Sequence, residues 1–176
     1  MEPNKTAINW QALISTAWEK RRPLWQDSRV DCFRVFHGYE EGSTGTVIEK
    51  FNDAAVIDYK TDIREDLAEL AQALLKVFPF KNIIAKGHQS LGLSLKARTH
   101  ILHGKDTFTT CNEYGLKFKV QLDAPHNPGL YLDARDARSW LSDNSSNRRI
   151  LNLFAFTGSL GLSSAYGKAT EVIHLD

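Results

Sequence analysis

A formal net charge of +1 over 176 residues gives the chain no overall field that would attract nucleic acid or an anionic membrane, although a local basic patch is still allowed. Its 42% hydrophobic residues are enough for the core of one ordinary domain or two small ones. The sequence has no apolar run near the roughly 20 residues that cross a bilayer and only two unpatterned cysteines, Cys32 and Cys111, so it indicates a cytoplasmic protein with reduced thiols.

Residues 1–29 are predicted to form a helical extension. Apolar residues recur at spacings of three and four between residues 6 and 22, and Pro23 is expected to stop the helix. The basic end, residues 20–22, has two interpretations. It complements the helix dipole, or it contacts RNA phosphate.

Residues 30–110 are predicted to form a small α+β domain. Three strands are expected near residues 30–36, 47–51 and 55–59, followed by a helix over 62–78 and a strand over 82–85. The next stretch, residues 86–105, is mixed and basic. It is either an RNA-facing edge or an exposed loop with ordinary cations, and its RNA-binding candidates are Lys86, Lys96, Arg98 and Lys105. The histidines and acids of this region lack the spacing of a metal site, so no metal is predicted.

Residues 111–176 are predicted to hold a hairpin and a first βαβ unit. Apolar residues alternate with polar ones from Leu116 to Leu122, as in a half-buried strand, and residues 130–132 are expected to return as extended chain. A turn-rich connector over 123–129 separates the two. A short helix over 133–144 follows, with Ala137, Trp140 and Leu141 expected to face inward.

The last stretch, residues 148–176, reads as strand, turn, helix and strand. An apolar run over 150–154 suits a strand covered on both faces, and small residues from Thr157 to Gly161 allow backbone N–H groups to face a ligand. Asp176 follows the turn by about 20 residues, where a nucleotide-binding unit places the acid that holds ribose hydroxyls. The turn departs from the G-x-G-x-x-G and phosphate-loop patterns. A βα turn of any α/β protein is therefore the alternative.

Two motifs within residues 129–158 carry a family resemblance. The first comprises Gly129, Tyr131, Leu132, Asp133, Arg135 and Arg138, and the second comprises Asn152, Phe154, Ala155, Phe156, Thr157 and Gly158. Together they resemble the class I S-adenosylmethionine-dependent RNA methyltransferases related to the 23S rRNA cytosine-5 methyltransferases. The resemblance extends over about residues 30–176, and Phe156 stands where the family usually has tyrosine.

The resemblance implies S-adenosylmethionine as the cofactor and rRNA, 23S rRNA in particular, as the partner. It also implies a fold class of α/β, in which the small α+β domain precedes the first two strands of a Rossmann-like methyltransferase sheet. The cofactor-binding residues that it implies are Tyr131, Arg135, Asn152, Phe154, Thr157, Gly158, Ser159 and Asp176.

The same resemblance places the catalytic residues beyond Asp176, because neither cysteine matches the family's nucleophile. The chain is therefore expected to be the N-terminal part of a longer enzyme and to be inactive alone. Two other functions stay open at this point. One is a non-catalytic RNA-binding module, and the other is a different nucleotide-cofactor enzyme such as an NAD-linked oxidoreductase. Oligomeric state is open.

Overall fold

A five-stranded mixed sheet forms the centre of the N-terminal two thirds of the chain. The structure is a computed structural model that describes residues 8–60, 63–88, 92–94 and 98–176. The strands are β1 (Cys32–Phe36), β2 (Thr46–Phe51), β3 (Ala54–Tyr59), β4 (Asn82–Gly87) and β5 (Thr99–His103), in the order β1-β2-β3-β4-β5. In the described part of this sheet, β3 and β4 pair in parallel and the other neighbouring strands pair antiparallel, because a helix crossover joins β3 to β4.

Two helices cover one face of this sheet. α1 (Trp10–Lys20) begins at Asn9, whose side chain accepts a hydrogen bond from the Ala12 N–H at 3.0 Å. α3 (Leu67–Val77) follows a 3₁₀ turn over Arg64–Asp66. The helices bury Trp10, Ile14, Leu70 and Leu74 against the sheet, which places the larger hydrophobic core on this side. The short α2 (Arg22–Trp25) contains Pro23 in its first turn, so this proline begins a new helix as well as ending α1.

The opposite face of the sheet is divided into an apolar half and a charged half. The apolar half, with Cys32, Phe51, Val56 and Ile84, lies under the hairpin β6 (Phe108–Glu113) and β7 (Leu116–Gln121). The charged half lies toward the carboxyl ends of β3 and β4. It consists of Arg34, Glu49, Asp58 and Lys86, whose register follows from the pairs Arg34↔Glu49 and Asp58↔Lys86. Alternation along each strand puts these side chains on one face.

A smaller unit follows the hairpin. It contains a 3₁₀ turn (Leu132–Ala134), α4 (Arg135–Asn144), β8 (Arg149–Asn152), α5 (Ser159–Tyr166) and β9 (Glu171–His174). β8 and β9 pair in parallel from Arg149↔Glu171 to Asn152↔His174. The α/β fold class is therefore confirmed, including the two leading strands of the βαβ unit.

Several local predictions are wrong, each for a physical reason. The hairpin partner of β7 is β6, which precedes it, whereas residues 130–132 run into a 3₁₀ turn. The basic stretch contains β5, an edge strand that the polar residues around Ile101 and Leu102 obscure. In α4, Trp140 is 60% exposed and Arg138 is buried, because the buried Glu113 offers the arginine a partner.

The β8–β9 pair is also less covered than its apolar sequence predicts. Leu151, Leu153 and Phe154 are all exposed, and Phe154 is 84% exposed. α5 buries its small residues Gly161, Ser163 and Ser164 and leaves Leu162 and Tyr166 exposed. Among the described residues, helices capable of spanning a bilayer are absent.

Candidate functional site

The turn between β8 and α5 is shaped by one glycine. Gly158 precedes α5 with φ at 82°, in the left-handed region that glycine adopts without steric penalty. Its N–H donates to the Ala155 carbonyl at 2.6 Å. Phe156 also has a positive φ of 47°, which is unusual for a large side chain and is held only where surrounding contacts fix it.

Asp176 supplies one of those contacts. The Phe156 N–H donates to Asp176 Oδ2 at 2.7 Å, so the end of β9 meets the turn that follows β8. The Tyr131 and Phe156 rings lie 5.4 Å apart, centroid to centroid. The Thr157 hydroxyl donates to the Gly129 carbonyl at 2.7 Å, which ties the turn to the connector before α4.

A cavity of about 570 Å³ lies beside this turn, and it is called the cofactor pocket here after the ligand that the sequence predicts. Residues from three segments line it: Tyr131, Asp133, Ala134, Phe154, Ala155, Phe156, Ser159, Leu160 and Asp176. It has aromatic side chains, a helix N-terminus and two carboxylates. An apolar cavity with a few convergent polar groups is the usual form of a small-molecule site.

The predicted cofactor residues take three kinds of position. Tyr131, Phe154, Ser159 and Asp176 line the pocket. Thr157 and Gly158 shape the turn through the contacts given above. Arg135 and Asn152 have other partners, since Arg135 donates to the Cys32 carbonyl and Asn152 lies 3.4 Å from His174 Nδ1. Sequence reasoning did not single out Asp133 or Leu160 as pocket residues, although Asp133 stands in the motif that carried the resemblance.

A buried ion pair holds the segment that carries Tyr131, one of the pocket residues. Arg138 donates to both carboxylate oxygens of Glu113, at 2.6 and 2.8 Å, and to the Tyr131 carbonyl at 2.8 Å. Arg138 is 1% exposed and Glu113 is 2% exposed, and Arg135 lies 3.4 Å from the same carboxylate. The motif arginines therefore join the hairpin to the segment that carries Tyr131.

A second cavity of about 390 Å³, here called the middle pocket, adjoins the first and shares Tyr131 and Asp133 with it. The charged half of the sheet contributes to its floor. Arg34 and Glu49 pair there at 2.8 Å. Burial raises the pKa of Glu49, although the hydrogen bond from Arg34 opposes the shift. Burial likewise raises the pKa of Asp58, which lies 3.6 Å from Lys86 Nζ.

Stability is expected to depend on pH through Glu49. Because the folded pKa is raised above the ordinary value of 4.5, this group stabilises the fold below pH 4.5, and that stabilisation is lost as the pH rises through the folded pKa. Glu49→Gln does not titrate. We expect urea unfolding to show Glu49→Gln gaining stability relative to the wild type as the pH rises above 4.5 and through the raised folded pKa. The exposed Glu69→Gln is the control, and a pH-independent difference for Glu49→Gln would contradict the prediction.

Of the basic residues predicted to face RNA, two of the three that the structure describes are buried. Lys86 is 2% exposed and donates to the carbonyls of Ala124 and His126 at 3.2 and 3.1 Å. Arg98 is 8% exposed and donates to the Gly87 carbonyl at 2.6 Å. Lys105 has an exposed side chain, and Lys96 lies outside the described residues. These residues do not form one exposed edge, since carbonyl partners hold two of them in the interior.

One cluster has the donor types of a metal site. The ligand atoms of Asp31, Cys32 and Cys111 lie within 4.8 Å of one another. The Lys50 ammonium donates to the Asp31 carbonyl at 2.9 Å, and a hydrogen bond with Cys32, together with burial, raises the pKa of Cys111. A neighbouring cation and a protonated thiol both oppose binding of a metal ion, so the cluster gives no support for a metal centre.

Comparison with known proteins identifies the family of this chain. The family profile of S-adenosylmethionine-dependent methyltransferases matches residues 62–176. Two proteins called ribosomal RNA large subunit methyltransferase I, from Aeromonas salmonicida and Aliivibrio fischeri, are 31% and 32% identical to the chain over 168 residues. Each alignment covers 93% of this chain and 42% of the relative, so the chain spans less than half the length of these curated relatives.

Solved structures share the fold. A candidate SAM-dependent methyltransferase from Streptococcus mutans superposes with a TM-score of 0.84 at 21% identity, covering 99% of this chain and 46% of the other. SMU.776, a candidate methyltransferase in complex with SAH, gives a TM-score of 0.85 at 21% identity with the same coverage. The profile match extends over more than half of the chain and includes the βαβ unit. This chain therefore belongs to the S-adenosylmethionine-dependent methyltransferase family.

Proposed function

We propose that this chain binds S-adenosylmethionine in the cofactor pocket and serves methyl transfer to a base of large-subunit rRNA. The observation that carries the proposal is the link between Asp176 and the Phe156 N–H at 2.7 Å. This link places a carboxylate from the end of β9 on the wall of a cavity that the glycine-bearing turn also lines. Carboxylates in this position of a βαβ unit accept hydrogen bonds from ribose hydroxyls.

The pocket residues suit the parts of the cofactor. Asp176 would take the ribose hydroxyls, and the N-terminal end of α5 at Ser159 would face the methionine part. Tyr131 and Phe154 supply apolar walls. The cofactor brings an electrophilic methyl group on a sulfonium. The residues of this chain bind and orient it, and alignment of two reactants is a large part of such catalysis.

The substrate assignment rests on the relatives. The two curated relatives are called large-subunit rRNA methyltransferases, and we extend that substrate class to this chain, with 23S rRNA as the RNA, a cytosine C5 as the acceptor and the cytoplasm as the compartment. Both cysteines of the chain are fully buried, and neither lines the cofactor pocket. Neither thiol can therefore reach a substrate base, and the chain alone is expected to bind the cofactor without turnover.

Calorimetric titration tests the proposal. The chain is titrated with S-adenosylmethionine, S-adenosylhomocysteine and NAD, since an NAD-linked enzyme is the competing interpretation of a βαβ unit. We expect the first two ligands to bind and NAD not to bind. Binding of NAD alone would overturn the assignment. Methyl transfer to rRNA by this chain alone would leave the cofactor assignment standing and contradict the expectation of inactivity.

Asp176→Asn is expected to weaken S-adenosylhomocysteine binding by about 10- to 100-fold. Hydrogen bonds to a charged group contribute about 1.5–3 kcal/mol, and about 1.4 kcal/mol corresponds to a factor of ten. The asparagine oxygen can still accept the Phe156 N–H, so the change isolates the charge. Asp143→Asn, at an exposed position outside the cofactor pocket, is the matched control. If the two variants bind S-adenosylhomocysteine with equal affinity, Asp176 is not a cofactor-binding residue.

A further inference from the structure

The cofactor pocket is one end of a longer cleft. The middle pocket shares Tyr131 and Asp133 with it. A third cavity of about 450 Å³, here called the far pocket, shares Val47, Asp58 and His126 with the middle pocket. The three cavities therefore follow one another along the charged half of the sheet, beneath the connector over 124–133.

The far pocket is rich in groups that attract an anion. Three cationic side chains line it (Lys60, Lys86 and Arg98) against one carboxylate, that of Asp58. Three histidines (His37, His88 and His126) and the exposed ring of Tyr39 complete much of the wall. A cationic groove with an aromatic platform is the usual construction of a site for single-stranded nucleic acid.

Arg98 is the polar group that points to a ligand. Its side chain is more than nine-tenths buried, and its Nη1 donates to the Gly87 carbonyl at 2.6 Å. Its buried Nε has no hydrogen-bond partner among the described residues. A buried guanidinium N–H without an acceptor is unfavourable. Arg98 also lines the far pocket, so a phosphate bound there would offer its guanidinium an acceptor. Lys86 differs, because two carbonyls already occupy its ammonium.

We propose that the far pocket binds a nucleotide of the RNA strand next to the nucleotide that is methylated. This inference rests on the proposed function. The phosphate meets Arg98 and Lys60, the base stacks on Tyr39, and the strand continues through the middle pocket toward Tyr131 and Asp133. Single-stranded RNA is commonly read in this way, with splayed bases on aromatic rings and cations on the backbone.

The continuity of the cleft favours an RNA strand over a small free anion. An isolated anion site needs only the cationic end. Here the cavities also join that end to the pocket beside Asp176 by way of shared residues. The middle pocket is not cationic overall, since Arg34 pairs with Glu49 in its floor, so we place the phosphate contacts in the far pocket.

The test uses fluorescence anisotropy with a labelled single-stranded 12-nucleotide RNA at several salt concentrations. Lys60→Gln should lower the affinity about five-fold near 0.1 M salt and reduce the salt slope by about 0.7, the value for one phosphate contact on a single strand. Tyr39→Ala should weaken binding by about 1–3 kcal/mol, or about 5- to 150-fold, and leave the salt slope unchanged.

Matched variants outside the cleft separate these effects from nonspecific ones. Lys117→Gln removes an exposed lysine from β7, and Tyr166→Ala removes an exposed tyrosine from α5. Both should bind the RNA like the wild type. If Lys60→Gln and Lys117→Gln lose the same affinity and slope, binding is diffuse and the proposal fails. It also fails if inorganic phosphate binds the chain while the RNA does not.

S-adenosylhomocysteine binding is measured on all four variants. It should be unchanged, because Lys60, Tyr39, Lys117 and Tyr166 do not line the cofactor pocket. Loss of RNA binding with intact cofactor binding locates the defect in the far pocket. A wild-type chain that binds S-adenosylhomocysteine but not the RNA would overturn this inference and leave the cofactor assignment standing. A wild-type chain that binds the RNA but not S-adenosylhomocysteine would overturn the cofactor assignment and leave RNA binding in the far pocket standing.

Discussion

Replacing Arg138 by methionine is expected to lower the free energy of unfolding by about 3–5 kcal/mol. The substitution keeps much of the side-chain volume but removes the partner of Glu113, whose carboxylate is 2% exposed. An unpaired charge in the interior is far less favourable than a paired one. Arg135, at 3.4 Å from Glu113, offsets only part of the loss, because it does not form the two-oxygen contact. Urea unfolding followed by circular dichroism measures the change.

The double variant Arg138→Met/Glu113→Leu is the control. Replacing both members of a buried pair by apolar residues is often close to neutral, so it should recover most of the lost stability. Arg138→Met should also bind the cofactor more weakly, because it lacks the hydrogen bond from Arg138 to the Tyr131 carbonyl at 2.8 Å. The double variant lacks the same hydrogen bond, so it should not recover cofactor affinity. Recovery of both quantities would show that Arg138 has no positioning role for Tyr131. Wild-type stability of Arg138→Met would show that the pair does not hold the hairpin.

Gly167→Ala should destabilise the chain by about 3 kcal/mol, the upper end of the range for overpacking. Gly167 follows α5 with φ at −73°, so alanine is conformationally acceptable there and would by itself stabilise by about 0.4–1 kcal/mol. The added Cβ would, however, contact the Ser142 carbonyl oxygen and lie 2.8 Å from its carbon. Both are backbone atoms of α4. The helices must separate, and this effect outweighs the entropic gain.

Gly161→Ala provides the comparison for that prediction. Its Cβ would lie 2.6 Å from Nε2 of His174, an exposed side chain that can rotate, and 3.0 Å from Val172. We expect a smaller loss, and the double variant Gly161→Ala/His174→Ala should recover most of it. Thermal unfolding of the wild type, the two single variants and the double variant measures these changes in stability. A Gly167→Ala chain more stable than the wild type would mean that α4 and α5 are not in close backbone contact.

The elements that the sequence predicted well are those with strong local periodicity. β2, β3, β4 and α3 carry regular apolar patterns, and their predicted positions agree with the observed ones to within a few residues. The turn at Gly158 was also identifiable, because glycine and small residues interrupt an apolar run. Asp176 lies at that turn because about 20 residues of helix and strand bring the chain back to the same sheet edge.

The features that the sequence did not predict depend on contacts between residues far apart in the chain. Arg138 is buried because it pairs with Glu113, 25 positions earlier. Helical periodicity contains no information about such a distant partner. Burial of Lys86 is decided by carbonyls of the 124–126 connector. The cleft itself has no local signature, because residues such as Arg34, Asp58 and Tyr131 come from separate segments and become neighbours only when the hairpin covers half of the sheet.

Tyr131 and Asp133 line both the cofactor pocket and the middle pocket, so the proposed binding of cofactor and the proposed binding of RNA would be coupled through these two side chains. A ligand that orders these side chains from one side prepares them for the other, since the ordering entropy has then already been lost. The factor by which cofactor raises RNA affinity must equal the factor by which RNA raises cofactor affinity. The Thr157–Gly129 hydrogen bond at 2.7 Å adds a mechanical link between turn and connector. Because the free energy of the ternary complex does not depend on the path by which it forms, the order in which the two ligands arrive does not change its stability.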